Sequence, residues 1–280
     1  MEKPIQELLN FSIINMDKPA GPTSFGVDSI VKKMLNAKKI SHAGTLDPAV
    51  GGVLPLMINR ACRLSDYFMH RNKAYAGIMR VHREIERKEL EKEISKFIGK
   101  IIQLPPVKSR VKRVEREREV FSFKILEQDG KDFLFETEVQ AGTYIRKLCD
   151  DIGKQIGGAH MLELRRTKAG IFSEESIVSL YQLEEAVNEW KKGNEKELRK
   201  ILIPADEALV KVMPKVEIKE EAIKQLLTGK PLFKQDVLSE KEKHIELEDK
   251  FALFSENRFI GVYRRVDEGE IIARAEFVFN

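Results

Sequence analysis

The residues best suited to chemistry lie in one stretch, Ser41-His42-Ala43-Gly44-Thr45-Leu46-Asp47-Pro48-Ala49-Val50-Gly51-Gly52-Val53-Leu54-Pro55. It holds one carboxylate, one imidazole, three glycines and two prolines. Glycine permits backbone conformations that a Cβ resists, and proline fixes φ. Asp47 precedes Pro48, which pushes it toward an extended or turn conformation. The stretch therefore reads as a stiff loop holding one carboxylate at a fixed place, where it can serve as nucleophile or base. An Asp-Pro step also opens ordinary surface turns, so residue types alone leave both readings standing.

Other chemistries find little support. The five histidines are scattered, so no metal site is expected. Cys62 and Cys149 form no CxxC and read as plain thiols in a reduced, cytoplasmic setting. There is no GxGxxG and no P-loop. The formal net charge is +4 and the pI is near 8.8, so a nucleic-acid surface must be a local concentration of charge. No run of eighteen apolar residues exists, and no membrane span is expected. Residues Met1 to Asn10 carry Glu2 and Glu7 and lack the apolar core of a signal peptide.

The elements that must position Asp47 can be read from periodicity, and they predict an α+β fold. Ile13 to Met16 is a short strand ending in Asp17-Lys18-Pro19. Thr23 or Ser24 caps a helix with apolar Val27, Ile30, Val31, Met34 and Leu35. Val53 to Ile58 is a buried strand. Lys73 to Val81 is another, with Tyr75, Gly77, Met79 and Val81 on one face. A helix carries Leu90, Ile94, Phe97 and Ile98 and ends at Gly99. Val120–Leu126 and Phe133–Val139 flank Asp129-Gly130, a hairpin signal. Thr143 caps a helix bearing Ile145, Leu148, Ile152 and Ile156, and His160 to Thr167 is a strand. A helix over Ser179 to Lys191 follows, then a charged linker or helix extension to Arg199. Pro204 and Pro214 bracket a short helix, which places the domain boundary near Pro214. Short strands at 251–254, 259–263 and 271–279 then make a small β domain.

Two charged features invite a role. Arg146 sits in the first turn of its helix, where a cation opposes the helix dipole by roughly 0.3–1 kcal/mol. Such a guanidinium reaches into solvent or meets an anion. Lys108, Arg110, Lys112, Arg113, Arg116 and Arg118 crowd one segment against Glu115 and Glu117. That segment suits RNA contact or a strand edge guarded by charge.

His42-x-Gly44-Thr45-Leu46-Asp47-Pro48 resembles the signature loop of pseudouridine synthases. The similarity is to the branch of bacterial tRNA U55 synthases and archaeal and eukaryotic guide-RNA synthases (Cbf5/dyskerin). It recurs, in the family's order, in Asp17-Lys18-Pro19-Ala20-Gly21-Pro22-Thr23-Ser24, Lys73-Ala74-Tyr75, Gln103-Leu104-Pro105-Pro106, Ala141-Gly142-Thr143-Tyr144-Ile145-Arg146 and Leu164-Arg165-Arg166. The resemblance implies a mixed, mainly antiparallel sheet with flanking helices over residues 1–213, and a β-barrel-like PUA domain over 214–280. It implies an enzyme that isomerises uridine to pseudouridine in RNA without a cofactor. Asp47 would be its catalytic carboxylate, attacking C1′ or removing a proton from C2′, and Arg146 would pair with it. Tyr75, otherwise an ordinary inward strand tyrosine, would stack on the target uracil and Leu164 would pack near the base. His42 would fill the place left by the flipped nucleotide. Lys18, Lys73, Arg165 and Arg166 would be phosphate contacts or structural cations. The chain runs from Arg80-Val81-His82 straight into the next helix, without the Thr-Asp-Thr-x-Asp segment and RNA-gripping thumb of the stand-alone tRNA enzymes. With Gln103 to Arg113, that resemblance favours the guide branch, whose partners would be an H/ACA guide RNA, its tRNA or rRNA substrate, and small accessory proteins. A guide-independent tRNA U55 synthase and a non-catalytic RNA-binding scaffold are the alternatives.

Overall fold

A computed structural model of the 280-residue chain describes residues 3–105, 112–238 and 244–280. Lys108 and Arg110 lie outside the described residues. The chain divides into two compact units, 1–203 and 204–280. Residues 204–213, assigned to the first domain by sequence, cluster with the second unit.

The first unit is built on a large, mainly antiparallel sheet. Its central path runs β1 (Ser12–Lys18), β3 (Gly51–Ile58), β8 (Ala159–Ala169), β4 (Lys73–Val81), β7 (Asp132–Val139), β6 (Arg116–Asp129) and β5 (Gly99–Gln103). Short β2 (Ile40–His42) joins β3, and β9 (Phe172–Ser173) joins β8. Along this path the one parallel contact is β3 with β8, where Gly51 and Gly52 lie opposite Arg165 and Arg166. Gly52 is needed there: its φ is +102°, and a Cβ would fall on the Arg166 carbonyl. Every residue of β3 is buried, as its continuous apolar run predicts. On β4, burial alternates and puts Tyr75, Gly77, Met79 and Val81 on the inner face. Gly77 leaves room for Leu164 and Phe135, which a Cβ would strike.

Beside the short α1 (Ile5–Asn10) and α3 (Ser65–Met69), helices α2 (Ser24–Met34), α4 (Arg87–Ser95), α5 (Ile145–Gln155) and α6 (Leu180–Lys191) supply Val27, Val31, Leu90, Ile94, Leu148, Ile152, Leu183 and Val187 to one core cluster with the sheet's inner face. Thr23 caps α2, its hydroxyl accepting from the Gly26 amide at 2.9 Å. Ser179 and Gln182 form a capping box on α6. Three expectations need correction. Thr143 does not cap α5; Tyr144 is the N-cap and the Thr143 hydroxyl is buried without a partner. Helix α4 stops at Ser95, and Ile98 is exposed because Gly99 at φ +91° turns the chain into β5. After Gly193 a separate short helix, Lys196–Ile201, replaces the linker.

In the second unit, five strands line up as 215–217, 250–255, 258–268, 271–278 and 232–233. The first pair is parallel and the others antiparallel. Val216, Leu226, Leu232, Phe251, Ile260 and Ile272 fill its core. The buried Tyr263 hydroxyl donates to the Leu226 carbonyl at 3.0 Å.

Candidate active site

The loop bearing Asp47 is fastened from several elements at once. From the end of β1, the Lys18 ammonium donates to the carbonyls of Pro19, Pro48 and Val50, at 2.9, 3.1 and 2.7 Å. From the first turn of α2, the Ser24 hydroxyl accepts from the Leu46 amide at 2.9 Å and donates to the Leu46 carbonyl at 3.1 Å. The Gly21 amide donates to the Pro48 carbonyl at 2.8 Å. From β8, the Arg166 guanidinium donates to the carbonyls of Gly44 and Val53 at 2.9 and 2.7 Å. The sequence reading of a stiff loop thus has a physical basis beyond its glycines and prolines: its carbonyls are held by cations.

Arg166 is 1 % exposed, and Lys18 and Lys73 are buried beside it. These side chains face inward onto backbone carbonyls, which favours structural cations over phosphate contacts, the two roles open to them. Lys73 donates to the Met69 and Arg71 carbonyls at 2.9 and 2.5 Å. Burial first, and then the Arg166 guanidinium, bring the Lys73 ammonium down to about 7. Burial and Arg166 also lower the Lys18 pKa, while the Asp47 carboxylate works the other way. Arg165, the neighbour on the opposite face of β8, is half exposed and engaged by Asp17 at 3.1 Å and Glu174 at 2.5 Å. Lys112 and Arg113 are exposed.

The structure brings Asp47 and Arg146 together. An Arg146 Nη2 donates to Asp47 Oδ2 at 2.8 Å, joining residues 99 apart in sequence. Both side chains are more than half exposed, 57 and 59 %, so the carboxylate is open to an incoming ligand. The start of α5, which aims Arg146, is fixed by a residue that sequence reasoning quoted without giving it a role. Buried Gln103, at the end of β5, accepts from the Tyr144 amide at 2.9 Å and donates to the Tyr144 carbonyl at 3.2 Å. A buried amide at the end of a strand was the available signal.

Tyr75 is buried on β4 with Arg166 opposite it on β8. The strand partner of Tyr75 is thus the residue whose guanidinium holds the Gly44 carbonyl of the Asp47 loop. Leu164, opposite Gly77, is partly buried against the core cluster. His42 is clamped at both ring nitrogens, Nδ1 2.7 Å from Asp28 Oδ2 and Nε2 3.1 Å from Thr45 Oγ1. Among the described residues no group of three or more His, Cys, Asp or Glu side chains is arranged to hold a metal. Among the described residues, no helix is long and apolar enough to cross a membrane.

An open carboxylate on a rigid loop, held by one guanidinium, can attack a sugar or remove a proton from it. Comparison with known proteins gives the class. Residues 32–145 match the TruB family pseudouridylate synthase N-terminal domain, and residues 146–210 match the tRNA pseudouridylate synthase B C-terminal domain. A "Probable tRNA pseudouridine synthase B" of Methanothermobacter thermautotrophicus is 45 % identical over 82 % of this chain and 72 % of its own. A protein of the same description from Archaeoglobus fulgidus is 40 % identical over 98 % of this chain and 84 % of its own. Among solved structures, a Cbf5-Nop10-Gar1 complex contains a chain superposing with a TM-score of 0.90 at 36 % identity, covering 99 % of this chain and 88 % of that one. An H/ACA RNP bound to a substrate RNA containing 2′-deoxyuridine contains another, with a TM-score of 0.88 at 34 % identity over 99 and 88 % of the two chains. The fold is thus that of a pseudouridine synthase, an RNA-modifying isomerase. The chain belongs to the TruB family.

Proposed function

We propose that Asp47 is the group that acts on the sugar of the target uridine, with Arg146 and Tyr75 as its partners. The observation that carries this reading is the 2.8 Å bond from Arg146 to Asp47, which unites two distant motifs at an open carboxylate. Retaining glycosidases use a carboxylate as nucleophile at an anomeric carbon. By the same logic an Asp47 oxygen attacks C1′, and the electrons of the C1′–N1 bond pass to uracil. The base turns, C5 bonds to C1′ as Asp47 leaves, the C5 proton departs and N1 takes one up. In the other route Asp47 removes the C2′ proton to give a glycal, with the same net isomerisation. Either route conserves all atoms and electrons and calls for no cofactor. Arg146 holds the carboxylate in its orientation. Tyr75 stacks on the uracil, Leu164 packs beside it, and the clamped His42 ring faces the gap left by the flipped nucleotide. Flipping costs a few kcal/mol, which such contacts offset.

We further propose that the enzyme works as the catalytic subunit of a guide-RNA particle. Structures described as Cbf5-Nop10-Gar1 and H/ACA RNP complexes match over nearly the whole chain, which supports this assignment, with an H/ACA guide RNA and small accessory proteins as partners. The C-terminal sheet, read as a PUA-like domain over residues 214–280, would hold guide RNA. The curated relatives described as tRNA pseudouridine synthase B favour a second reading, direct action on tRNA. Assays of one RNA carrying tritium at uridine C5, with and without an H/ACA guide, separate the two. Guide-dependent tritium release supports the particle, and equal release from free tRNA supports direct action. In either assay Asp47→Asn should fold, bind RNA and release no tritium. Release above background by this variant would remove Asp47 from the chemistry.

A further inference from the structure

Helix α2 does more than cap the Asp47 loop. Its inner side buries Ser24, Val27 and Val31, and Asp28 at the border of that side holds His42. Residues three and four apart share a helix face, so Phe25, Asp28 and Lys32, at i, i+3 and i+7, form one line. Phe25 is 74 % exposed, an unusual state for so large an apolar ring. It directly follows Ser24, the residue that grips Leu46 beside Asp47. Beyond it, Lys32 and Lys33 are exposed in the last turn, and exposed Lys38 and Lys39 follow. The Lys38 and Lys39 amides both donate to the Asn59 side chain, at 2.8 and 3.1 Å, which fixes that segment in place. None of these four lysines has an ion-pair partner among the described residues. An open aromatic ring followed by unpaired cations is the chemistry of a single-strand track, in which a base stacks and phosphates are neutralised.

We infer that this face of α2 binds the RNA strand that flanks the target nucleotide, with Phe25 stacking on an unpaired base and Lys32, Lys33, Lys38 and Lys39 meeting its phosphates. The line from Phe25 to Lys32 is about 10 Å long at 1.5 Å per residue. It borders the Asp28–His42 pair, so the bound strand runs along the rim of the site. This rests on the reading of the site as one that acts on RNA.

The test uses the full chain and a fluorescein-labelled single-stranded RNA with one uridine in an adenosine run. Phe25→Ala should weaken binding by roughly 5- to 150-fold, the range of one base–aromatic stack, without changing the salt slope. Phe25→Trp should restore affinity, and its emission should fall on adding RNA, over the background of Trp190. Replacing Lys32 and Lys33 together with Ala should reduce the log–log salt slope by about 1.4, at about 0.7 per phosphate on single strands. All these side chains are exposed, so unfolding midpoints should stay at the parental value. Parental affinity in Phe25→Ala, unmoved tryptophan emission in Phe25→Trp, or an unchanged slope in the lysine variant would each overturn the inference. Binding is measured apart from turnover: a catalytically competent Asp47→Asn would sink the proposed chemistry and leave this surface untouched.

Discussion

The Arg146–Asp47 ion pair lies open to water, where such a pair contributes about 0–1 kcal/mol to folding. Its value is geometric: a planar fork fixes the carboxylate as a point charge cannot. Arg146→Lys keeps the charge, so RNA affinity should hold within about twofold. Single-turnover rates should fall roughly 10- to 150-fold, the equivalent of one charge-assisted hydrogen bond. A loss confined to affinity would move Arg146 from the chemistry to RNA binding. Lys73 makes a different prediction. Its folded-state pKa of about 7 lies below the ordinary 10.5. Below pH 7 both folded and unfolded chains carry its proton, and the fold bears the full cost of burying the charge. Between pH 7 and 10.5 only the unfolded chain carries the proton, so stability gains with rising pH. The difference in Tm between Lys73→Met and the parent should therefore shift steadily in the parent's favour from pH 7 to about pH 9.5. A difference independent of pH would mean that Lys73 stays charged in the folded protein throughout that range.

Among the elements, the start of α5 illustrates which information periodicity carries. The alternation on β4, the unbroken apolar run of β3 and the Thr23 cap of α2 were all legible, because each is a local pattern with a local cause. The cap of α5 was not. Thr143 has the right residue type, yet the helix end is satisfied by Gln103, 41 residues upstream. Gln103→Ala should strand the Tyr144 amide and carbonyl, costing about 1–3 kcal/mol in chemical denaturation and slowing turnover through Arg146. Thr143→Ala, which removes an unpartnered buried hydroxyl, should cost no stability on that account. Equal losses in the two variants would restore Thr143 as the cap. The candidate site was legible to the extent that Asp47 and Arg146 could be named and paired by resemblance. The inward turn of Arg166, Lys73 and Lys18 was not, because cationic side chains are seldom buried and their partners here are backbone carbonyls, which leave no mark in the sequence.

At the scale of the whole molecule, a net charge of +4 is too small to direct RNA unless it is concentrated. Lys112 and Arg113 are exposed at the foot of β6, and Arg110 belongs to the same basic run. Changing Arg110, Lys112 and Arg113 to Ala should flatten the salt dependence of RNA binding by roughly two to three units, provided each meets a phosphate. A slope equal to the parent's would mark the segment as a solvated edge.

The fastening of the Asp47 loop also sets a timetable. Gly44 waits for a guanidinium 122 residues downstream, and Asp47 for one 99 residues downstream. At 5–20 residues per second, a ribosome supplies Arg166 roughly 6–25 s after Gly44. Until then the carbonyls of Gly44 and Val53 lack that donor, and β3 lacks its parallel neighbour. The nascent chain thus displays the Asp47 carboxylate seconds before the guanidinium that orients it has been made.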